Sequence, residues 1–240
     1  MTLEQQGAKK VLAIIPARGG SKGIPGKNLK KIEGRSLIEH AFDCAREAKS
    51  PLTVVLSTDD AEILQHGRQM GIELVERPAE LATDQAKVID AIKHCLHQME
   101  SRKGGRYEIV VLLQPTSPIR NGEDLDAIIR LFDRPEVESV ISVVSANEVH
   151  PARMYEMADN KLVPLNKRYE TANRQSIRPV YYRNGCFYAI RRETMLRENT
   201  LMPQNKTPYV MPASRLCNID EPVDLIIAKA LVKAWKEGKI

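Results

Sequence analysis

Residues 11–49 constrain this chain more than any other stretch. An apolar run over 11–15 empties into Pro16-Ala17-Arg18-Gly19-Gly20-Ser21-Lys22-Gly23-Ile24-Pro25-Gly26-Lys27-Asn28, and a helix-like segment follows over 36–49. A strand that runs into a glycine-rich, cationic turn before a helix is well made to hold a polyphosphate. Glycine lets backbone N–H groups converge on an anion, and Arg18, Lys22 and Lys27 supply charge. The loop matches neither standard phosphate motif. It has no Gly-x-Gly, Pro25 stands where a P-loop needs glycine, and Gly26-Lys27 leads into Asn28 instead of Ser or Thr. The competing reading is a cationic surface loop, and the flanking strand weighs against it.

Beyond this turn, short β-branched runs alternate with longer amphipathic ones. Strands are predicted over 11–15, 53–57, 72–75, 109–113 and 140–144, and helices over 36–49, 61–70, 85–100 and 122–132. In the third helix Val88, Ile89, Ile92, Leu96 and Met99 fall on one apolar face. Repeated strand–helix–strand units imply right-handed crossovers and a mostly parallel α/β sheet, whose ligands collect beyond the carboxyl ends of the strands. Polar clusters stand at those ends: the cationic turn, Ser57-Thr58-Asp59-Asp60, and Gln114-Pro115-Thr116-Ser117-Pro118. Asp59 equally suits a helix N-cap, and Thr116 or Ser117 a turn.

The pattern breaks over 147–179. This polar stretch holds one hairpin-like pair of runs, 154–157 and 161–165, around Asp159-Asn160, and is too small to fold alone. It reads as an insertion that packs on something else, dividing the chain into a main α/β domain (1–146 and 180–240) and an inserted arm. The main pattern resumes with a strand over 180–190, a short helix from Arg192 and a last helix from Glu221 to about Trp235.

Net charge is +5, which admits either a nucleic acid or a small anion as partner. Aromatic residues make up only 5% of the chain, too few for a base-stacking platform, so the small anion is favoured. Four cysteines (Cys44, Cys95, Cys186, Cys217) stand far apart, without disulfide or zinc spacing, as expected in a reducing cytoplasm. His94 and His97 can share a helix face, but no third metal ligand accompanies them. No run approaches membrane-spanning length, and the first ten residues are polar; neither a signal peptide nor a membrane association is expected.

A polyphosphate site calls for a divalent cation with oxygen ligands. Alternation along Asn218-Ile219-Asp220 turns both polar side chains the same way, toward one ion. Asp220-Glu221-Pro222 is also a good helix start with Asp220 as N-cap.

Six segments together resemble one family, the CMP-sialic acid synthetases or acylneuraminate cytidylyltransferases. They are IIPARGGSKGIPGKNL, the STDD turn, RPAELATD (77–84), LLQPTSPIR (112–120), RNGCFY (183–188) and NIDEPVDL (218–225). The resemblance covers nearly the whole chain. It implies a Rossmann-like nucleotidyltransferase with a dimerisation insertion. Such an enzyme joins CTP to the anomeric hydroxyl of a nine-carbon acidic sugar with Mg2+ and releases pyrophosphate. Carried over by motif, Ala17, Arg18, Ser21, Lys22, Lys27 and Asn28 would hold the nucleotide. Arg77 and Ala86 would surround cytosine, and Gln114, Arg153, Arg174 and Tyr188 would contact the sugar, with Arg174 suited to its carboxylate. Asp220, with Asn218, would bind the metal, and Arg18, Lys27 and Asp220 would carry the chemistry. Asn218 departs from the aspartate usual in the family. Leu201 and Met202 stand where sialic-acid enzymes tend to carry aromatics, which opens legionaminic acid as a substrate. Gly23 and Gly26 stand where pseudaminic-acid enzymes tend to carry arginines.

Overall fold

The strand β1 (Val11–Pro16) is an unbroken apolar run buried on both faces, as a central parallel strand must be. The computed structural model describes residues 9–146 and 149–240; the first residues of the predicted insertion, 147 and 148, and the side chain of Arg174 lie outside what it describes. Around β1 the chain builds β2 (Lys31–Ile32), β3 (Arg35–Ser36), α1 (Leu37–Glu47), β4 (Leu52–Thr58), α2 (Ala61–Met70), β5 (Glu73–Glu76), α3 (Val88–Lys103), β6 (Ile109–Leu112), α4 (Gly122–Leu131) and β7 (Ser139–Ser145). There follow β8 (Tyr155–Ala158), β9 (Lys161–Pro164), β10 (Tyr181–Arg191), α5 (Arg192–Glu198), β11 (Thr207–Met211) and α6 (Pro222–Lys236).

Seven strands form one sheet in the order β11-β7-β10-β6-β1-β4-β5. Every neighbouring pair is parallel except those of β10, which runs antiparallel to both β6 and β7. The predicted mostly parallel α/β sheet is therefore present. The chain leaves β1 toward β4 and β5 on one side and reaches β6 on the other. This makes the β1–β6 boundary a topological switch point, where the loops leaving the two strands part and open a crevice.

Three differences from the sequence reading have physical causes. The helix predicted from Gln85 starts at Val88, because residues 83–86 close a turn in which the Ala86 amide donates to the Thr83 carbonyl at 3.2 Å. Val88 accordingly leaves the predicted apolar face: it is 52% exposed, while Ile89, Ile92, Leu96 and Met99 are buried. The last helix is capped by Glu221, not by Asp220; Asp224 closes the capping box by accepting from the Glu221 amide at 2.7 Å. β11 escaped the sequence reading because it is short and holds Pro208, which an edge strand tolerates. The predicted hairpin of the arm is present as β8 and β9. Asp159 and Asn160 both take positive φ (50° and 57°) at its two-residue turn, the geometry of a type I′ hairpin.

One buried arginine ties the switch-point loop to β10. Arg120, 2% exposed, donates from Nη2 to the Gln114 carbonyl at 2.8 Å and from Nη1 to the Cys186 carbonyl, and its guanidinium lies 5.7 Å from the Phe187 ring centroid. Its Nε is buried without a partner, and burial pulls its pKa down from the ordinary arginine value. Opposite it, β10 carries a bulge between Arg183 and Tyr188, where Gly185 takes φ 77°. A Cβ on Gly185 would stand 2.7 Å from Ser117 Oγ and 3.1 Å from Gln114 Oε1, so the bulge lets the two segments touch. Arg120→Ala should lower stability by roughly 3–5 kcal/mol, from the cavity and the carbonyls left unpaired. Urea denaturation measures this, and a loss below about 1 kcal/mol would show that the tie is not structural.

Candidate active site

The turn after β1 is docked rather than loose. Ile24, 4% exposed, packs into a cluster with Cys217, Ile219, Ala228 and Val232. A Cβ on Gly23 would lie 2.4 Å from the Asp220 carbonyl oxygen, so only glycine lets the turn come this close to the 218–220 segment. Gly19 makes the matching approach on the other flank: its amide donates to Asp59 Oδ1 at 3.1 Å, and a Cβ there would strike the Asp60 carboxylate. Asp60, not Asp59, is the N-cap of α2, accepting from the amides of Glu62 and Ile63. The Asn28 side chain, 7% exposed, closes the turn by donating to the Arg18 carbonyl at 3.0 Å.

These contacts frame a cavity of about 510 Å3 at the carboxyl ends of β1, β5 and β6. From the turn, Arg18, Ser21, Lys22, Lys27 and Asn28 line it; from beyond β5, Arg77, Thr83, Asp84 and Ala86; from beyond β6, Gln114 and Thr116; and from the C-terminal segment, Asp220. A second cavity, about 170 Å3, is lined by Gln114, Tyr182, Arg183, Asn184, Gly185, Tyr188 and Asn218. Gln114 belongs to both, and the two-residue step from Asn218 to Asp220 spans them.

Charge in the larger cavity is arranged in two knots. Arg18 Nη2 lies 3.0 Å from Asp84 Oδ1 and Lys22 Nζ 2.5 Å from Asp84 Oδ2, while Arg18 Nη1 donates to the Thr83 carbonyl at 3.3 Å. The Lys22 ammonium holds the Asp84 carboxyl below its ordinary pKa. At the other end Lys27 Nζ donates to the Ile219 carbonyl at 2.8 Å and to Asp220 Oδ1 at 3.1 Å, and Asn218 Nδ2 donates to Asp220 Oδ2. Because Glu221 takes the cap, the Asp220 carboxylate is not spent on the amides of α6. Arg77, 7% exposed, is held by the Ser57 carbonyl at 3.0 Å, and burial lowers its pKa.

Of the residues singled out in the sequence, Arg18, Ser21, Lys22, Lys27, Asn28, Arg77, Ala86, Gln114 and Asp220 meet in the larger cavity. Tyr188 and Asn218 join Gln114 in the smaller one, and burial raises the Tyr188 pKa, which keeps the phenol neutral. Ala17 lines neither: it is 1% exposed and its amide donates to the Ser57 carbonyl at 3.0 Å. Arg153 sits on the 3-10 turn Pro151–Arg153 and donates to the Ala172 carbonyl at 3.2 Å; it belongs to neither lining. Asp84 and Arg183 were not singled out, although each lies inside a recognised segment. The Asp84 ion pairs and the bulge that turns Arg183 into the small cavity are tertiary facts with no spacing to betray them. Among the described residues no three His, Cys, Asp or Glu side chains form a ready metal cage, His94 and His97 included. A single carboxylate nonetheless suits Mg2+, which keeps several waters and takes its remaining ligands from substrate phosphates.

Comparison with known proteins shows the family and the fold. Residues 12–237 match the family profile described as cytidylyltransferase. The chain is 32% identical over 223 residues to the N-acylneuraminate cytidylyltransferase of Streptococcus agalactiae serotype V, covering 90% of this chain and 52% of that protein. It thus spans about half the length of that relative. It is 28% identical to the CMP-N,N'-diacetyllegionaminic acid synthase of Legionella pneumophila, over 96% of this chain and 100% of that one. The pseudaminic acid cytidylyltransferase of Campylobacter jejuni is 27% identical over 95% and 99%. A solved CMP:2-keto-3-deoxy-manno-octonic acid synthetase complexed with CTP shares the fold, with a TM-score of 0.71 at 19% identity, over 95% of this chain and all of that one. The chain belongs to the cytidylyltransferase family.

Proposed function

We propose that this protein activates a nine-carbon acidic sugar of the N-acylneuraminic type with CTP, giving the CMP-sugar and pyrophosphate. The observation that carries the reading is the junction of the two cavities at Gln114 and the 218–220 segment. It joins a cationic chamber of triphosphate size to a small polar one that holds an arginine. Attack of the anomeric hydroxyl on the α-phosphate forms one P–O bond, breaks the bond to the leaving pyrophosphate and releases the hydroxyl proton to solvent. The task of the protein is to place the two reactants and stabilise charge on the phosphoryl oxygens.

Lys27 stands where that charge develops, beside Asp220 and fixed by the Ile219 carbonyl. Arg18 and Lys22 reach over the mouth and take the outer phosphates once Asp84 is displaced. Arg77 and the 83–86 turn form the end that receives the base. Asp220 would hold Mg2+, which when bound shields the phosphate oxygens and orients them. On the sugar side Gln114 and Tyr188 offer hydrogen bonds and Arg183 offers a guanidinium for the carboxylate.

A legionaminic-type sugar is the second reading, and one contact favours it. Arg183, which lines the small cavity, has its Nη1 3.2 Å from the Met202 sulfur, so a thioether stands behind this arginine where sialic-acid enzymes tend to place an aromatic ring. The inserted arm (147–179) is read as a dimerisation element. Met157 and Leu162 on its hairpin are 76% and 65% exposed, apolar surface that a second copy would cover. The described residues include no helix long and apolar enough to cross a membrane.

Pyrophosphate release should require CTP together with sialic or legionaminic acid; no turnover with any nonulosonic acid in such a panel would overturn the assignment. Lys27→Ala should cost roughly 2–4 kcal/mol of transition-state stabilisation, and a kcat/KM within threefold of wild type would remove Lys27 from the chemistry. Asp84→Asn should tighten CTP binding about two- to fivefold, the scale on which exposed ion pairs such as its two contribute, while leaving CMP binding unchanged; calorimetry with both nucleotides reads this, and weaker CTP binding would contradict it. Light scattering should give the mass of two chains, and a stable monomer would refute the role given to the arm.

A further inference from the structure

His94 is a half-buried histidine to which the proposed reaction gives no task. It belongs to α3, whose Val88 and Ala91 line the larger cavity, and it follows Ala91 by three residues on the same helix face. This helix packs on β5 and on the 3-10 turn Ala79–Leu81, and Arg77 stands in the short link between the two. The His94 Nδ1 atom is buried and has no hydrogen-bond partner among the described residues. A buried nitrogen left in this way costs free energy unless something calls on it. Arg77 has the complementary need. Ser57 takes one edge of its guanidinium, Nη2 at the carbonyl (3.0 Å) and Nε at the hydroxyl (3.4 Å), and its other N–H donors are uncommitted among the described residues.

Resting on the reading that Arg77 receives the base, we infer that His94 is a positioning residue whose buried Nδ1 is the acceptor against which the Arg77 guanidinium sets when a cytidine nucleotide enters. Ser57 holds one edge of that guanidinium, and an acceptor on a second edge fixes the whole plane for the base. Charge supports the pairing. Burial is the main reason that the His94 pKa lies below its ordinary value, and the Arg77 charge pushes it the same way. Arg102 and His97, on α3 itself, add to this, while Glu80 on the 79–81 turn acts the other way. On the cavity side Asp59 and Arg18 act on Arg77. The imidazole is therefore neutral at pH 7, and with its proton on Nε2 it offers Nδ1 as an acceptor. Below that lowered pKa it becomes a second cation beside Arg77 with no acceptor to give, so the base end loosens.

The test is calorimetry with CMP and CTP on wild type, His94→Leu, His94→Asn and Arg77→Ala, from about pH 8 to about pH 5. His94→Leu should weaken both nucleotides about tenfold at the upper pH, the scale of one hydrogen bond to a charged group, because both carry the same base. Asparagine brings an amide oxygen close to the place of Nδ1, so His94→Asn should recover most of that loss. Toward the acid end wild type should lose more affinity than His94→Asn, which shares every other titrating group. Full affinity in His94→Leu, a His94→Asn variant as weak as His94→Leu, or the same pH curve for His94→Asn and wild type overturns the inference. The pH comparison decides it even if His94→Leu does not fold. Arg77→Ala binding CMP as wild type does would remove Arg77 from the base end and the inference with it. A loss in Arg77→Ala beside an unaffected His94→Leu overturns the inference alone.

Discussion

The seating of the β1 turn on the 218–220 segment is the contact from which the rest of the site follows. Gly23 allows the approach, Ile24 anchors it in apolar contacts with Ile219, and Lys27 locks it with two hydrogen bonds. Residues almost two hundred positions apart in sequence are brought into hydrogen-bond range. Without that seating the turn would be an ordinary cationic loop, and Asp220 would be a surface carboxylate. The 218–220 segment is itself fixed from a third side, by the Ile219 amide donating to the Thr116 carbonyl at 3.0 Å. Three loops thus converge at the switch point of the sheet, which is where the topology leaves room for a ligand.

Electrostatics explains how such a site persists before a nucleotide arrives. Four cations on one cavity repel one another, and the protein answers with two carboxylates placed at opposite ends. Asp84 binds Arg18 and Lys22 where solvent reaches them, so that pairing is cheap to break. The Lys27–Asp220 contact is more sheltered on the lysine side and is part of the scaffold. One knot is therefore exposed and the other sheltered, a division that suits the proposed entry of a substrate past the first.

Much of this is legible in the sequence alone. The apolar run of β1 and the amphipathic period of α2 (61–70) announce themselves because local chemistry determines them, although the α2 cap falls on Asp60, one residue beyond the Asp59 that the sequence suggests. The convergence of Arg18, Lys27, Gln114 and Asp220 followed from the family resemblance rather than from spacing. What stayed hidden was tertiary. The antiparallel course of β10 is a matter of topology, and its bulge is held by a buried Asn184, whose side chain accepts from Ser142 Oγ at 2.6 Å and from the Cys186 amide at 3.3 Å. No local pattern signals that pairing, and so Arg183 went unnoticed beside Tyr188. The Asp220 cap was misplaced by one residue because Asp220 and Glu221 are both plausible caps, and only the position of Asp224 decides between them.

Hydrogen exchange in the presence and absence of CTP tests the central claim most directly. The account predicts that CTP with Mg2+ slows amide exchange over residues 19–27 and 83–86 more than CMP does, because the outer phosphates engage the turn after β1 and displace Asp84. Protection confined to other segments, or equal protection by CMP and CTP, would contradict it.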